Sequence, residues 1–138
     1  MTEDTAAAVR GLLDDPTAGA IVQRLEDDPN VLVGFFSAPE GTHPGGAHTD
    51  VTARPLAWFA GGCGEMPYGV DIAFNVADAR KGLERHGLDT NTTLVLFHEL
   101  VHAYFEVYAD IGAGPESNML ATLFENALRG EGPYRAGQ

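Results

Sequence analysis

The chain has 138 residues and a formal net charge of −12, from 20 acidic side chains against only 8 lysines and arginines. Such a negative surface repels nucleic acid and anionic lipid, so we exclude both as partners. A basic peptide or protein segment would be attracted, and solubility alone is the other explanation of the charge. No run of about 18 apolar residues predicts a membrane span, and the single cysteine cannot form an internal disulfide. We expect a cytoplasmic protein, or one exported without a cleaved signal peptide.

The first half of the chain predicts a helical cover followed by a sheet. Residues 1–28 have helical character, and Pro16 can open a second helix that carries one apolar stripe. Three later runs have β character: Val31–Phe36, Pro55–Ala60 and the alternating Gly69–Val76. We therefore predict a sheet within residues 31–76, with Gly69–Val76 as an edge strand on which an extended peptide could pair.

The connections between these runs contain further candidates. Residues 38–50 predict a Gly/Pro-rich loop, in which His43 and His48 are either extra metal ligands, substrate contacts or solvated side chains. Cys63 lies between glycines and is either a thiolate that approaches a metal or simply a small residue. Residues 77–88 predict a polar connection with a helical turn from Arg80 to His86.

The strongest pattern is His98-Glu99-Leu100-Val101-His102, inside an apolar helix predicted for residues 90–110. Two histidines four residues apart lie on one helical face, so both imidazoles can bind one metal ion. Glu99 points to the side, where it can take a proton from water without being a ligand. Apolar side chains surround this helix, which indicates burial, and a buried His or Glu needs a partner. We predict a Zn²⁺ site with His98 and His102 as ligands and Glu99 as the catalytic base; ordinary hydrogen-bonded side chains are the alternative.

The following helix, predicted for residues 115–129, offers Glu116 and Glu125 as a third zinc ligand. Glu116 falls on the apolar stripe of this helix and Glu125 on the polar stripe, which favours Glu116 as the inward residue. A short break makes the two helices antiparallel, so that Glu125 lies opposite the zinc motif and Glu116 roughly 10 Å along the axis from His102. Because reach is the stricter constraint, we predict Glu125, with Glu116 as the alternative. A surface ion pair with Arg129 is the other interpretation of Glu125.

Two segments of the chain resemble the NleD-like family of bacterial effector zinc metallopeptidases. The run from His98 to Tyr104 is similar to the family motif His-Glu-Leu-x-His-Ala-Tyr. Further along, Glu125-Asn126 with Arg129 is similar to its Glu-Asn-x-x-Arg element, and Pro133-Tyr134-Arg135 to its Pro-x-Arg piece. The resemblance covers residues 70–135 and implies a zincin-like protease domain in which Glu99 is the catalytic base.

Together these features predict an α+β fold in which residues 1–138 form a single zincin-like domain. A small mixed or antiparallel sheet would pack on the central zinc helix, followed by the C-terminal helix. The expected function is that of a zinc-dependent metallopeptidase, for which the candidate oxyanion stabilisers are Tyr104, Tyr108, Tyr134 and Arg135. Two alternatives stay open: a zincin-fold enzyme for a small metabolite or biosynthetic intermediate, and a non-catalytic metal-stabilised module that binds a basic partner.

Overall fold

The computed structural model describes residues 3–43, 45–53, 68–109, 111–112 and 114–135. Within them the elements in chain order are α1 (Glu3–Leu13), α2 (Pro16–Asp27), β1 (Val31–Ser37), β2 (Ala47–Ala53), β3 (Tyr68–Phe74), α3 (Val76–Arg85), α4 (Thr93–Tyr108) and α5 (Pro115–Arg129). The predicted α+β class and mixed sheet are confirmed. The strand candidate Pro55–Ala60 and Cys63 lie outside the described residues. No helix in the described part of the chain is long and apolar enough to cross a membrane.

Strand β3 is the centre of the three-stranded sheet, whose order is β1-β3-β2. It runs parallel to β1 and antiparallel to β2, so both of its hydrogen-bonding sides are occupied. Its alternating apolar residues Val70, Ile72 and Phe74 are buried, as their spacing predicts. The prediction that Gly69–Val76 is a peptide-binding edge is therefore wrong, because a central strand has no unpaired backbone edge.

The loop predicted for residues 38–50 is wrong at its end, because strand β2 already begins at Ala47. Ala47 and Val51 pack against the core, whereas His48 and Asp50, on the opposite face, are largely exposed. Just before the strand, Gly46 has a φ of +83°, and a Cβ there would collide with backbone atoms of α3. The sequence pattern did not predict this strand, because it follows a glycine-rich segment and its inward side chains, Ala47, Thr49 and Val51, are small and not all apolar.

Helix α3 replaces the polar connection predicted for residues 77–88. Asn75 caps it: the side-chain oxygen accepts a hydrogen bond from the Asp78 backbone N–H at 2.9 Å. Ala79 and Leu83, four residues apart, are fully buried on one helical face, and Val76 at the start of the helix also packs against the core. These apolar positions are few and widely spaced, which is why the sequence pattern predicts only a polar connection.

The helical cover predicted for residues 1–28 is confirmed as α1 and α2. Asp15 caps α2 by accepting hydrogen bonds from the backbone N–H groups of Thr17 and Ala18 at 3.0 and 2.9 Å. The apolar stripe of α2 is buried in the core, and the helix packs against β1 and α4. The cover thereby encloses one side of α4.

Helix α4 lies between the cover, the sheet and α5, and this position explains its apolar circumference. Its buried residues are Leu94, Val95, Leu96, Phe97, Glu99, Leu100, Val101 and Ala103. Contacts with α5 run in reverse order, since His98 meets Glu125 and His102 meets Ser117. The two helices are therefore antiparallel, as the short break between them predicts.

Candidate metal centre

His98 and His102 lie side by side on α4, with ring centroids 4.8 Å apart. One ligand atom from each, together with a Glu99 carboxylate oxygen, forms a group within 4.8 Å. Each imidazole also has an anchor on α5: His98 Nδ1 lies 2.9 Å from Glu125 Oε1, and His102 Nδ1 lies 2.7 Å from Ser117 Oγ. Both Nδ1 atoms thus have a partner on α5, and the Nε2 atoms are the candidate nitrogens for a metal.

The bond to Glu125 fixes the tautomer of His98. An ionised carboxylate has no proton to give, so Nδ1 of His98 must be the donor, and Nε2 of the neutral ring keeps its lone pair. A histidine that binds a metal commonly donates its second nitrogen to a carboxylate in this way. Burial, with smaller contributions from His98 and His48, lowers the pKa of His102 to about 4. His102 is therefore neutral at pH 7 and able to act as a ligand.

Glu125 is fully buried and held by two arginines as well as His98. Arg129 Nη2 donates to Oε2 at 2.7 Å, and Arg135 Nε donates to Oε2 at 2.9 Å and Oε1 at 3.1 Å. Burial is the largest single influence on this carboxyl and would raise its pKa, but the donors outweigh it and lower the pKa to about 2. Glu125 is consequently an anion throughout the physiological pH range.

Arg135 reaches Glu125 because the segment after α5 folds back on the helix. Asn126 Oδ1 accepts from the Arg135 backbone N–H, and Asn126 Nδ2 donates to the Arg135 carbonyl, both at 2.9 Å. Tyr134 is fixed to the helix end by a 2.6 Å bond from its hydroxyl to the Gly130 carbonyl. The sequence elements around Glu125 and around Arg135 therefore meet in one hydrogen-bonded unit.

Glu99 is almost fully buried, with 9% of its surface exposed. Burial raises its pKa; interactions with His98 and with the Thr49 hydroxyl act in the opposite direction. Thr49 Oγ1 donates to Glu99 Oε1 at 2.9 Å and lies 3.2 Å from the Glu99 carbonyl oxygen. The carboxylate is thus held in place from β2, and a raised pKa is typical of a group that accepts and returns a proton.

Two pockets meet at these side chains. One, of about 350 Å³, is lined by Ala47, His48, Thr49, His98, Glu99, His102, Glu106, Gly114 and Asn118. The other, of about 500 Å³, is lined by His86, Leu88, His98, Asn118, Thr122, Tyr134 and Arg135. His98 and Asn118 border both pockets, whereas His102 lines only the one that contains Glu99, so His98 stands between two cavities of ligand size.

The donor set fits a zinc ion. Neutral imidazole nitrogens and a carboxylate are ligands that zinc prefers, and bonds of about 2.0–2.2 Å place ligand atoms roughly 3–4 Å apart. The imidazole nitrogens of His98 and His102, which lie with a Glu99 oxygen in a group within 4.8 Å, therefore need only a small contraction to bind one ion. Glu125 meets His98 through Nδ1, the position of an orienting carboxylate, and its assignment as the third ligand stays a prediction. Glu116, the alternative, is exposed near the start of α5.

The four candidate oxyanion stabilisers lie in two different places. Tyr134 and Arg135 line the pocket that reaches His98, whereas Tyr104 and Tyr108 contact Arg24 of α2. The two tyrosines of α4 therefore face the helical cover, and neither lines the two pockets described above. The oxyanion candidates that border His98 are the two residues after α5.

The loop histidines form a pair beside the smaller pocket. His43 and His48 are stacked with centroids 5.2 Å apart, and His48 Nε2 lies 3.2 Å from Asp50 Oδ1. Of the two, His48 lines the pocket that contains Glu99. His48 therefore borders the pocket beside Glu99, and the His43 ring stacks on it.

Sequence reasoning missed Thr49 and Ser117. Thr49 was assigned to a loop, although the alternation of Ala47, Thr49 and Val51 could have indicated a strand with one inward face. Ser117 is fully buried in the first turn of α5, where serine ordinarily suggests only a helix start. Its role depends on the helix pairing, which no local pattern shows.

Comparisons of the chain with protein-family models, with curated proteins and with solved structures found no match.

Proposed function

We propose that the protein is a zinc-dependent hydrolase of peptide bonds with a zincin-like active site. The observation that carries this proposal is the pairing of each α4 histidine with its own partner on α5: His98 with Glu125 and His102 with Ser117. Ordinary buried histidines need one hydrogen-bond network to satisfy them. Here each ring is oriented through its own Nδ1, and both rings lie beside the buried Glu99 carboxylate and a pocket. A shared metal ion explains this arrangement better.

Each side chain has a defined task in this proposal. His98 and His102 would hold the ion through Nε2. Ser117 orients His102, and Glu125 orients His98 instead of serving as the predicted third ligand. Zinc, when bound, supplies a Lewis acid that polarises a carbonyl group and makes water more acidic. Glu99 accepts the proton of the attacking water and delivers it to the leaving amine, for which its raised pKa is suited.

Strand β2 supports a peptide as the substrate. It has one neighbour, β3, in the described sheet, so it takes the edge position that the sequence had assigned to Gly69–Val76. Thr49 of β2 contacts Glu99 directly, and so this edge runs past the catalytic carboxylate. An extended peptide could pair with β2 and present its backbone carbonyl to the site.

The decisive experiment replaces Glu99 by glutamine, which keeps the size of the side chain and removes the base. We expect Glu99→Gln to bind one zinc ion per chain with unchanged affinity and to lose at least about a thousandfold in peptide turnover. Glu84→Gln, an exposed acid on α3, is the matched control and should retain full activity. Turnover by Glu99→Gln at the wild-type rate would sink the proposed mechanism, and a wild-type protein that binds zinc without any turnover would favour a binding module.

A small-molecule substrate is the second candidate, favoured by the size of the larger pocket. A volume of about 500 Å³ is that of a site which encloses a metabolite. Assays of the zinc-loaded protein on casein and on small acyl amides separate the two candidates. Hydrolysis of the amides with no cleavage of casein or of short peptides would exclude the peptidase and support the metabolite enzyme.

A further inference from the structure

Charge is distributed unevenly between the surface of the protein and the larger pocket. The chain carries 20 acidic residues, yet the described lining of this pocket contains an arginine, two histidines and no Asp or Glu. The neutral lining residues Asn118 and Thr122 carry polar groups that can donate hydrogen bonds. In a protein with a net charge of −12, the described wall of this pocket has no acidic residue and one permanent cation, Arg135.

Arg135 supplies the charge of this wall. Its Nε is bonded to Glu125, but no described residue accepts a hydrogen bond from its two Nη atoms, and 28% of the side chain is exposed. Arg129 also pairs with Glu125, so one carboxylate balances two guanidinium groups. One positive charge is left over, on the side where Arg135 borders the pocket.

The wall lies within reach of the reacting bond. Glu125 Oε1 is 2.9 Å from His98 Nδ1 and 3.1 Å from Arg135 Nε, so these two nitrogens lie no more than 6.0 Å apart. An extended chain advances about 3.3 Å per residue, so a substrate with its scissile bond at His98 brings a group one to three residues away beside Arg135. The guanidinium fork is suited to a planar carboxylate.

We propose that the pocket bounded by Arg135, His86 and Asn118 binds a carboxylate of the substrate, either an Asp or Glu side chain or the C-terminal carboxylate, close to the scissile bond. The inference rests on the proposed hydrolase function and specifies its substrate class. It differs from the preference for basic partners that the net charge suggests, because solvent ions screen surface charge beyond about 8 Å. Contacts at the pocket wall act at shorter range and decide what fits beside the metal.

A binding experiment tests the pocket without depending on turnover. Zinc-loaded Glu99→Gln protein is titrated, by NMR, with alanine-based hexapeptides that carry one Asp or Glu at successive positions, or the isosteric Asn or Gln. A second pair of peptides ends in a free carboxylate or in an amide, which separates the two sources of the group. We expect one carboxylate position to bind at least about tenfold tighter than its neutral isostere, with shifts at Asn118 and Arg135.

Two variants test the wall itself. Asn118→Asp places a negative charge in the pocket without touching Glu125, and it should abolish the preference, whereas Asn118→Ser should retain it. Arg135→Gln should abolish it too, while zinc content and melting temperature show whether the protein still folds and binds metal. Equal affinity for carboxylate and neutral peptides, or tighter binding of lysine peptides, would overturn the inference. Absence of cleavage by the wild-type protein, with the preference intact, would count against the hydrolase proposal alone.

Discussion

Helix α4 is held by two helical neighbours in two different ways. Toward α2 the contact is apolar, with Ile21, Val22 and Leu25 buried, and its polar groups stay at the rim, where Arg24 lies 4.1 Å from the Tyr108 ring centroid. Toward α5 the contact buries Ser117, Thr122 and Glu125, and the last of these is an ion. The same helix thus has one ordinary interface and one polar interface.

The difference points to a cost at the α5 interface that helix packing alone does not explain. Apolar side chains of α2 cover α4 without any buried charge, so a charged interface is not needed to dock a helix here. Removing ions from water costs several kcal/mol each, and their mutual attraction often only offsets this cost. The burial of Ser117 and Glu125 is therefore better explained by the two histidines that they contact.

Replacing Glu125 should have the largest effect on the polar interface between α4 and α5. Glu125→Ala leaves two arginines without their carboxylate, and the unfolding free energy should fall by about 3–5 kcal/mol. Glu125→Gln keeps the shape and should weaken zinc binding about 10–100-fold, the range for a residue that orients a ligand. Zinc affinity measured by competition with a chelator checks this, with Glu116→Gln as the unaffected control. A far larger loss in Glu125→Gln would identify Glu125 as a ligand itself.

A smaller effect is expected at the second anchor. Ser117→Ala removes the hydroxyl that fixes His102 and leaves Nδ1 without a buried partner, so zinc affinity should fall about tenfold. Ser37→Ala, at an exposed strand end, is the matched control. Chelator competition on both variants gives the answer; equal affinities would remove Ser117 from the metal centre.

Thr49 connects the sheet to the catalytic carboxylate, and its replacement should affect rate rather than metal binding. Thr49→Val keeps the shape but removes the bond to Glu99, which should lower kcat roughly tenfold at unchanged zinc content. Thr49→Ser retains a hydroxyl and should restore most of the rate. If the valine and serine variants turn over substrate equally fast, the hydrogen bond has no catalytic part.

The smallest expected effect is on the pH dependence of stability and comes from Tyr108, at the interface between α4 and α2. Burial, then the 2.8 Å hydrogen bond to Asp28, raises the pKa of Tyr108 to about 12. Because the folded state holds this proton more tightly than the unfolded chain, the contribution to stability is complete below pH 10 and is lost as the pH rises toward 12. Melting curves across this range should show a steeper decline for the wild type than for Tyr108→Phe. Tyr68→Phe should keep the wild-type slope.

Glu125 shows how much of the site can be predicted from the sequence. The apolar stripe of α5 favoured Glu116 as the inward residue, and the antiparallel pairing favoured Glu125. In the structure Met119 and Leu123 of the apolar stripe are 52% and 64% exposed, while Glu125 is fully buried. The pairing argument was the better guide, because helix length and turn length are fixed by covalent geometry. The apolar stripe predicted the wrong inward residue because α5 buries its polar face against α4.

The sequence by itself determined the elements with strong local signals: the cover of α1 and α2, the alternating strand β3, the buried helix α4 and the metal-type spacing of His98 and His102. Periodicity and caps are local properties, and they can be read from neighbouring residues. Only the tertiary structure decided the central place of β3, the bond from Thr49 to Glu99, and the meeting of Ser117 and Arg135 with the α4 site. These depend on which elements pack together, and residues as far apart as positions 49 and 99 carry no local record of their contact.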